Sequence, residues 1–165
     1  MVKLVVTGAA EDVDLAKIGE IQHSIQRILL PTDGSEPAVR ATHYAVMLAK
    51  LLGASITAMY VDTGLEDVEL PEELDSDDYF EGVHPSAKGL IIAHRLAAAN
   101  QVQCNVEVAH GGVAKRIVHS AEEMGVGMIV LGDTGRSGLK RIALGSVAEA
   151  VVKASTIPVL VIKAE

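Results

Sequence analysis

Short apolar runs alternate along this chain with longer segments in which apolar residues recur at helical spacing. The apolar runs predict five strands, over 27–31, 54–61, 102–109, 128–131 and 157–163. The helical segments predict four helices, over 35–53, 86–100, 113–124 and 147–153. Strands that are apolar throughout and alternate with helices are typical of a parallel sheet covered on both faces. The pattern therefore predicts an α/β fold.

Right-handed crossovers would wind this chain into a doubly wound, Rossmann-like sheet of five parallel strands with helices on both faces. Ligands of such folds bind at the carboxyl ends of the strands, where the direction of winding reverses. The turns after the first and fourth predicted strands hold the two most distinctive segments of the chain, 31–35 and 132–146. If these two strands are neighbours, both turns face one crevice.

The segment after the fourth predicted strand contains Gly132, Gly135 and Gly145, and Ser146 follows the last of them. Glycine allows positive φ angles and lets the backbone come close to an anion. The free N–H groups at the start of the next helix, together with the positive end of its dipole, favour a phosphate there. The alternative is a glycine-rich connection that only lets a helix pack tightly on the sheet.

Three basic residues and no acid lie between Gly135 and Gly145, namely Arg136, Lys140 and Arg141. Their charges suit a polyphosphate that lies under this segment. Arg136 directly follows a motif glycine and is the strongest candidate of the three. The alternative for the other two is an ordinary surface position at the start of a helical turn.

Asp33, at the end of the first predicted strand, is a candidate partner for ribose hydroxyls, or for a magnesium ion through water. Its alternative role is to cap the local turn through its own side chain. Val61 and Leu131 end the second and fourth predicted strands and would give apolar walls to a base. Together with the glycine segment, these residues predict a nucleotide as the ligand.

Composition excludes several other classes. With 165 residues, 49% hydrophobic and 22% charged, the chain fits one globular domain with a sizeable core. Three tyrosines and one phenylalanine are its only aromatic residues, which argues against a base-stacking nucleic-acid surface. Cys104 is the only cysteine, so an internal disulfide and a cysteine metal cluster are excluded. No apolar run reaches membrane-spanning length and no leader pattern is present, so we expect a cytoplasmic protein that binds neither membrane nor nucleic acid.

The net charge of −8 is unevenly distributed. The stretch 62–81 holds ten acids and no lysine or arginine, which leaves 12 acids against 14 bases in the rest of the chain. Such a charge run is usually a solvated loop. The alternative is a lid or a partner-docking segment, with Pro71 and the pair Tyr79-Phe80 as contact points.

These linked motifs resemble those of the universal stress proteins, specifically of their ATP-binding branch. The resemblance covers residues 26–163. Its markers are Pro31-Thr32-Asp33 after the first strand, the spacing Gly-x2-Gly-x9-Gly-Ser over 132–146, and the tail 145–153 followed by Pro158-Val-Leu-Val. The resemblance implies a HUP-type sheet of strand order 3-2-1-4-5, an adenine nucleotide with Mg²⁺ held through its phosphates, and a homodimer.

The resemblance also implies a set of binding residues. In such proteins the positions matching Asp33 and Val61 hold the ribose and adenine side, Pro31 belongs to the same set, and the position matching Leu131 packs near the base. The positions that hold the phosphates and the ribose match Gly132, Gly135, Gly145, Ser146 and Val147.

One departure from the family pattern lies inside the glycine motif. The family often carries a small hydroxyl residue and then His or Arg between the first two glycines, whereas this chain has Asp133 and Thr134. An acid at that position would repel a γ-phosphate, unless Asp133 points to solvent or makes a turn bond. The departure leaves ADP and AMP open beside ATP as the bound nucleotide.

A homodimer has a separate argument from the strand order. In the order 3-2-1-4-5 the fifth strand is an edge, and 158–162 is too apolar to stay unpaired without a risk of aggregation. Pairing with the same strand of a second copy would cover it.

The alternative cover for this edge is an N-terminal extension, predicted over 1–24 before the domain 25–165. The hydrophobic pattern of this extension is strand-like at 3–7 and weakly helical at 12–25. The extension could instead add an edge strand to the sheet, cover the dimer seam, or be disordered.

The sequence favours binding over catalysis. Its six histidines have no metal-ligand spacing, and no nucleophile stands near a base. We therefore favour a nucleotide-dependent sensor or regulator in stress response, with at most slow ATP hydrolysis and a possible further protein partner. The alternatives are a nucleotide-free dimeric stress protein that acts through protein partners, and a slow ATPase. An adenylating enzyme is disfavoured because its Ser-Gly-Gly-x-Asp-Ser loop is absent after the first strand.

Overall fold

A computed structural model describes residues 20, 24–64, 74, 84–135 and 144–163 of the chain. Every strand and helix predicted from residue 27 onward is present. In chain order the elements are β1 (Arg27–Pro31), α1 (Glu36–Leu52), β2 (Ser55–Asp62), α2 (Pro85–Ala99), β3 (Cys104–His110), α3 (Val113–Met124), β4 (Met128–Gly132), α4 (Ser146–Ala154) and β5 (Val159–Ile162).

The five strands form one parallel sheet in the order β3-β2-β1-β4-β5. In register, Leu29 of β1 lies opposite Thr57 on one side and Ile129 on the other. This order confirms the expected doubly wound fold. It also makes β1 and β4 neighbours, so the turns that follow them leave the sheet side by side at its carboxyl edge.

Both faces of the sheet are buried, and successive residues of each strand contribute to opposite faces. The face covered by α1 and α2 packs side chains from the sheet and both helices, among them Ile28, Leu30, Ile56, Val130, Ala45 and Leu90. The face covered by α3 and α4 does the same with Leu29, Met59, Val61, Ile129, Leu131, Ile117 and Val151. Burial on both faces is the reason that β1 and β4 are almost entirely apolar, whereas the edge strand β3 carries Asn105 and Glu107 at less buried positions.

Two strands begin later than the apolar pattern predicts. The N–H of Val102 donates to the carbonyl oxygen of Ala97 at 2.9 Å and so closes the end of α2 instead of starting β3. Before β5, the Ser155 hydroxyl bonds both the N–H and the carbonyl oxygen of Ile157 in a turn. Both shifts come from local hydrogen bonds that an apolar pattern does not reveal.

Two of the helices end on glycines in the left-handed conformation. Gly53 has a φ of +67° and its N–H donates to Ala49 at the end of α1, and Gly125 has a φ of +60° at the end of α3. Only glycine adopts this conformation without a steric cost from a β-carbon. These helix ends lie at the amino edge of the sheet, opposite the crevice.

Some predictions fall on residues that are not described. The predicted strand at 3–7 lies outside the described residues, and so does the predicted helix at 12–25 except for positions 20, 24 and 25. Positions 20 and 24 are helical and position 25 is not. Within the part of the chain that the structure describes, no helix combines the length and the apolar character that crossing a membrane requires.

Candidate functional site

The turn after β1 is organised by its own polar side chains. The Asp33 carboxylate accepts the N–H of Ser35 through Oδ1 at 3.0 Å, and Thr32 Oγ1 accepts the N–H of Gly34 at 3.3 Å. Gly34 takes a φ of +75° between them. The turn-capping role considered for Asp33 is therefore present, and it uses one of the two carboxylate oxygens.

Ser35, at the start of the predicted helix 35–53, occupies the N-cap position of α1 with extended backbone. Its side chain makes no capping hydrogen bond. The Ser35 hydroxyl is instead buried and has no hydrogen-bond partner among the described residues. A buried hydroxyl without a partner costs free energy, and it stands beside Asp33 as a donor for a bound group.

The glycines after β4 occupy positions where a β-carbon would collide with the chain itself. At Gly132, a β-carbon would lie 2.8 Å from the carbonyl carbon of Pro37, in the first turn of α1. At Gly145, it would lie 2.7 Å from the carbonyl oxygen of Asp133. At Gly135, it would lie 2.8 Å from Oδ2 of Asp33.

None of these three glycines has a positive φ, and Gly145 has a φ of −62°. The expectation that they provide positive φ angles is therefore wrong for Gly132, Gly135 and Gly145. Their shared property is the absence of a β-carbon where two segments pass closely. Sequence cannot separate these two uses of glycine, because the same residue type satisfies both.

The close approach of Gly135 to Asp33 joins the two predicted segments. Asp33 belongs to the turn after β1, and Gly135 belongs to the segment after β4. Because β1 and β4 pair directly, both segments lie at one edge of the sheet and contact each other. The structure thus brings together the two chemically distinctive parts of the sequence in one crevice.

Three apolar residues line the strand ends at this edge. Pro31 is buried at the end of β1, and Val61 and Leu131 are 5% and 4% exposed at the ends of β2 and β4. The side chains of Val61 and Leu131 belong to the same core cluster, on the sheet face covered by α3 and α4. They form an apolar floor more than free-standing walls.

The start of α4 supplies hydrogen-bond donors at the same edge. Gly145 is the N-cap residue, Ser146 is the first helical residue, and Ser146 and Val147 are both exposed. The N–H groups of the first helical turn have no acceptor within their own helix, and they carry the positive end of the helix dipole. Gly135, another predicted phosphate-binding residue, is exposed as well.

Asp133 connects three parts of the site. Its N–H donates to Ile162 at the end of β5 at 2.9 Å, and its carbonyl oxygen accepts the N–H of Gly145 at 2.7 Å. The Oδ1 atom of Asp133 accepts the Thr134 hydroxyl at 3.2 Å. The turn bond considered for this carboxylate is therefore present, and the side chain is half-buried. Arg136, Lys140 and Arg141 lie outside the described residues.

A further acid lies on α4, one turn after its start. The Lys153 ammonium, hydrogen-bonded to the Glu149 carboxylate, holds the pKa of that carboxyl below its ordinary value.

Within the described ranges, no group of three or more His, Cys, Asp or Glu side chains is placed to hold a metal ion. A magnesium ion at this edge would therefore take most of its ligands from phosphates and water.

Sequence reasoning missed two residues at this edge. Gly89 lies inside α2, and a β-carbon there would be 2.6 Å from Thr32 Oγ1, so α2 packs directly on the turn after β1. An isolated glycine in an alanine-rich helix is a signal of such close packing.

The second residue is Asp62, which ends β2 and is only 4% exposed. Its Oδ1 accepts the N–H of Gly64, and its Oδ2 lies 3.6 Å from Nδ1 of His110. The prediction of a solvated loop is therefore wrong for Asp62.

Two depressions of the described surface lie elsewhere. One, of about 680 Å³, lies at the amino edge between the ends of α1 and α2, and another, of about 280 Å³, lies between the same two helices. The first is lined by Gly53, the glycine that ends α1, and neither is lined by a residue of the turns after β1 and β4. We therefore assign the candidate site to the carboxyl edge from the chemical groups that meet there, and not from the volume of a depression.

Comparisons with known proteins agree with the overall fold. A family model described as the universal stress protein family matches residues 24–163. Universal stress protein MJ0531 of Methanocaldococcus jannaschii is 37% identical over 139 residues, which cover 84% of this chain and 82% of the relative. The solved structure of MJ0577, from the same organism, has a TM-score of 0.68 at 29% identity, over 86% of this chain and 98% of that chain. A universal stress protein solved in complex with cAMP has a TM-score of 0.62 at 25% identity, over 84% and 97% of the two chains.

The family match spans most of the chain and includes every element of the sheet. The match to MJ0531 extends over most of both proteins. The solved structures share the overall fold over nearly their full length. The chain therefore belongs to the universal stress protein family.

Proposed function

We propose that this protein binds an adenine nucleotide in the crevice at the carboxyl edge of β1 and β4, and that it acts as a nucleotide-dependent sensor or regulator in stress response. The nucleotide is ATP, with Mg²⁺ held through its phosphates, or ADP or AMP. The observation that carries the proposal is the contact of Gly135 with the Asp33 carboxylate. That approach brings the proposed ribose-binding acid beside the glycine segment after β4, whose residue Asp133 accepts the N–H of Gly145 at the start of α4. The cAMP complex of a related protein supports an adenine ligand.

Each part of the nucleotide has a proposed set of contacts. The base would lie over the apolar floor of Val61 and Leu131, beside Pro31 and the backbone at the end of β2. The ribose would bind to Asp33. The phosphates would bind to the backbone N–H groups and hydroxyl of Gly132, Gly135, Gly145, Ser146 and Val147. Arg136 remains a proposed phosphate ligand outside the described residues.

We propose binding, with at most slow hydrolysis, as the main activity. The Asp33 carboxylate holds the N–H of Ser35, so it is positioned as a structural and binding group. A general base must instead lie within hydrogen-bond reach of the attacking water. A slow ATPase is the variant of this proposal that a turnover assay would detect.

A nucleotide-free stress protein that acts through protein partners is the second candidate. One observation favours it: the contacts of Gly132, Gly135 and Gly145 with their own chain already account for all three glycines. On this reading the motif serves packing alone. The same contacts would be present with or without a nucleotide, so only a binding measurement separates the two candidates.

The proposed assembly is a homodimer through β5. This strand is one edge of the sheet, and its residues Val159, Leu160 and Val161 are only half-buried within one chain. On the neighbouring α4, Val147 and Val152 are exposed. Pairing of two copies along β5 would cover this apolar edge.

Two further statements stay predictions. One is the division of the chain into an extension 1–24 and a domain 25–165, and the other is a location in the cytoplasm.

The experiment that tests the nucleotide proposal uses the purified, full-length protein. Heat denaturation should release an adenine nucleotide that chromatography detects. After its removal, added nucleotide at one hundred times its Kd should raise Tm by about 5–10 °C, since such ligation adds about 2.7 kcal/mol to the free energy of unfolding. If no nucleotide is released and neither Mg-ATP, ADP nor AMP shifts Tm, the partner-binding candidate stands instead.

A further inference from the structure

Asp133 is the one acidic residue between the first two glycines of the motif, and its position is fixed by the fold. Its backbone holds the end of β5 through Ile162 and the start of α4 through Gly145. Its carboxylate accepts the Thr134 hydroxyl at 3.2 Å, and because the hydroxyl is a neutral donor this turn bond leaves the negative charge in place. Because both backbone bonds belong to the framework of the site, Asp133 cannot leave the crevice without loss of that framework.

The backbone of Asp133 therefore stays at the N-terminus of α4. A β-carbon at Gly145 would lie 2.7 Å from the Asp133 carbonyl oxygen and 3.2 Å from the Thr134 α-carbon, so the two segments touch. A helix N-terminus attracts anions through its free N–H groups and its dipole. The residue whose backbone contacts this N-terminus thus carries a negative charge of its own.

A second carboxylate faces the same glycine segment from the other side. Oδ2 of Asp33 lies 2.8 Å from the position that a β-carbon of Gly135 would occupy. Two acids therefore lie at the segment 132–135. Asp133 is part of the segment, and Asp33 approaches it from the turn after β1. Repulsion between like charges grows with the charge of the ligand, and a phosphate chain gains about one negative charge with each added phosphate.

We propose that Asp133 makes the crevice select adenine nucleotides by phosphate charge. Without a divalent cation, AMP binds more tightly than ADP, and ADP more tightly than ATP. Mg²⁺ reduces the difference because it neutralises the phosphate chain. This inference rests on the proposed function, since it concerns the same site. It agrees with a single phosphate in the nucleotide of the related cAMP complex.

The test compares dissociation constants of AMP, ADP and ATP by calorimetry, with EDTA and then with Mg²⁺. In the wild-type protein with EDTA, Kd for ATP should exceed Kd for AMP at least about tenfold, a ratio that corresponds to about 1.4 kcal/mol. Asp133→Asn keeps an oxygen acceptor for Thr134 and removes the charge, so it should lower this ratio about tenfold while Kd for AMP changes about twofold or less. Glu122→Gln, which removes one exposed charge from α3, is the matched control and should leave the ratio unchanged.

Salt gives an independent readout of the same repulsion. The ratio in the wild-type protein should fall as the NaCl concentration rises from 50 mM to 500 mM, because salt screens the interaction of partly exposed charges. Tighter binding of ATP than of AMP in EDTA, or an unchanged ratio in Asp133→Asn, overturns the inference and leaves nucleotide binding in place. Failure of every nucleotide to bind the wild-type protein overturns the proposed function, and the inference with it.

Discussion

Gly53 and Gly125 at the amino edge of the sheet, and Gly132 and Gly145 at its carboxyl edge, are present for different physical reasons. Gly53 and Gly125 have left-handed backbone, and a β-carbon at either would have no atom within 4 Å. Gly132 and Gly145 have no positive φ, and a β-carbon would collide with backbone. The first pair permits a backbone conformation, and the second pair permits two segments to touch. Both uses occur at both edges, since Gly34 after β1 has a φ of +75° and a β-carbon at Gly127 before β4 would collide with the carbonyl oxygen of Ser24.

The two edges differ in chemistry. The amino edge has a depression of about 680 Å³, with a polar lining that includes Lys50 and Asn100. The carboxyl edge has the Asp33 turn, the α4 start and the glycine segment in mutual contact. The comparison teaches that a site in this fold is recognised by converging backbone donors and fixed side chains, and the size of a depression is a poor guide.

The largest stability loss is expected from alanine at a crowded glycine. Gly132→Ala should lower the free energy of unfolding by about 1–3 kcal/mol, because the new β-carbon forces the backbone of Pro37 to move. Urea denaturation measures this. The control is Gly112→Ala, since Gly112 has a φ of −70° and open space around it. Equal stability of the two variants would contradict the crowding at Gly132.

At the amino edge the expected loss is smaller and has a different chemical signature. Gly53→Ala should cost about 1–2 kcal/mol, because a β-carbon is unfavourable in left-handed backbone. Gly53→Asn should recover part of that loss, since asparagine tolerates this conformation better than alanine. The matching pair at the crowded position, Gly132→Ala and Gly132→Asn, should show no recovery. Recovery at both positions would contradict the proposed difference between conformation and crowding.

A third prediction concerns the thiol that begins β3 near the amino edge. Burial raises the pKa of Cys104 to about 11, against an opposing hydrogen bond from the Ala58 backbone. The folded thiol holds its proton more tightly than the unfolded one, so this contribution to stability is intact below pH 9 and is lost as the pH rises toward 11. At pH 8, DTNB should label the native protein more slowly than the urea-unfolded protein. Equal rates would show a thiol that is neither buried nor held neutral.

The dimer offers a comparison of two exposed apolar positions. Val152 on α4 is 45% exposed near the β5 edge, and Leu51 on α1 is 72% exposed on a different helix. Val152→Asp should weaken the dimer in sedimentation experiments, while Leu51→Asp should not, because a charge at the seam must lose its hydration on pairing. A monomeric wild-type protein at all concentrations would contradict the β5 dimer.

Local sequence patterns were sufficient to predict the elements of the fold. Apolar runs such as 128–131 became strands because burial on both faces leaves no polar position, and Gly53 and Gly125 became helix ends because their role is local. The strand order 3-2-1-4-5 came from the family resemblance and was confirmed. Patterns within a segment, together with that resemblance, thus accounted for the fold.

The detail of the candidate site could not be predicted in the same way. The crowding of Gly132 against Pro37, the burial of Asp62 and the packing of Gly89 on Thr32 all depend on contacts between segments far apart in sequence. The Ser35 hydroxyl lies at the N-cap position but makes no hydrogen bond, while the Asp33 carboxylate accepts the N–H of Ser35 itself. Tertiary contacts decide these points, and a single sequence does not display them.

Glycine substitutions are poor tests of nucleotide binding here, because they disturb packing and ligand contacts together. Ser146 avoids this problem, since it is exposed at the first position of α4. Ser146→Asp places a negative charge where the phosphates are proposed to bind, and a carboxylate there should stabilise the folded protein by about 0.3–1 kcal/mol. Ser146→Asn has a similar size and no charge, so it is the matched control.

The decisive measurement is therefore the Tm shift produced by AMP, and by Mg-ATP, in the wild-type protein and these two variants. We predict that both nucleotides raise Tm of the wild type and of Ser146→Asn. In Ser146→Asp the shift should be lost, although the ligand-free protein is as stable as the wild type or more so. Equal shifts in all three proteins would place the phosphates away from the start of α4 and contradict the proposed site.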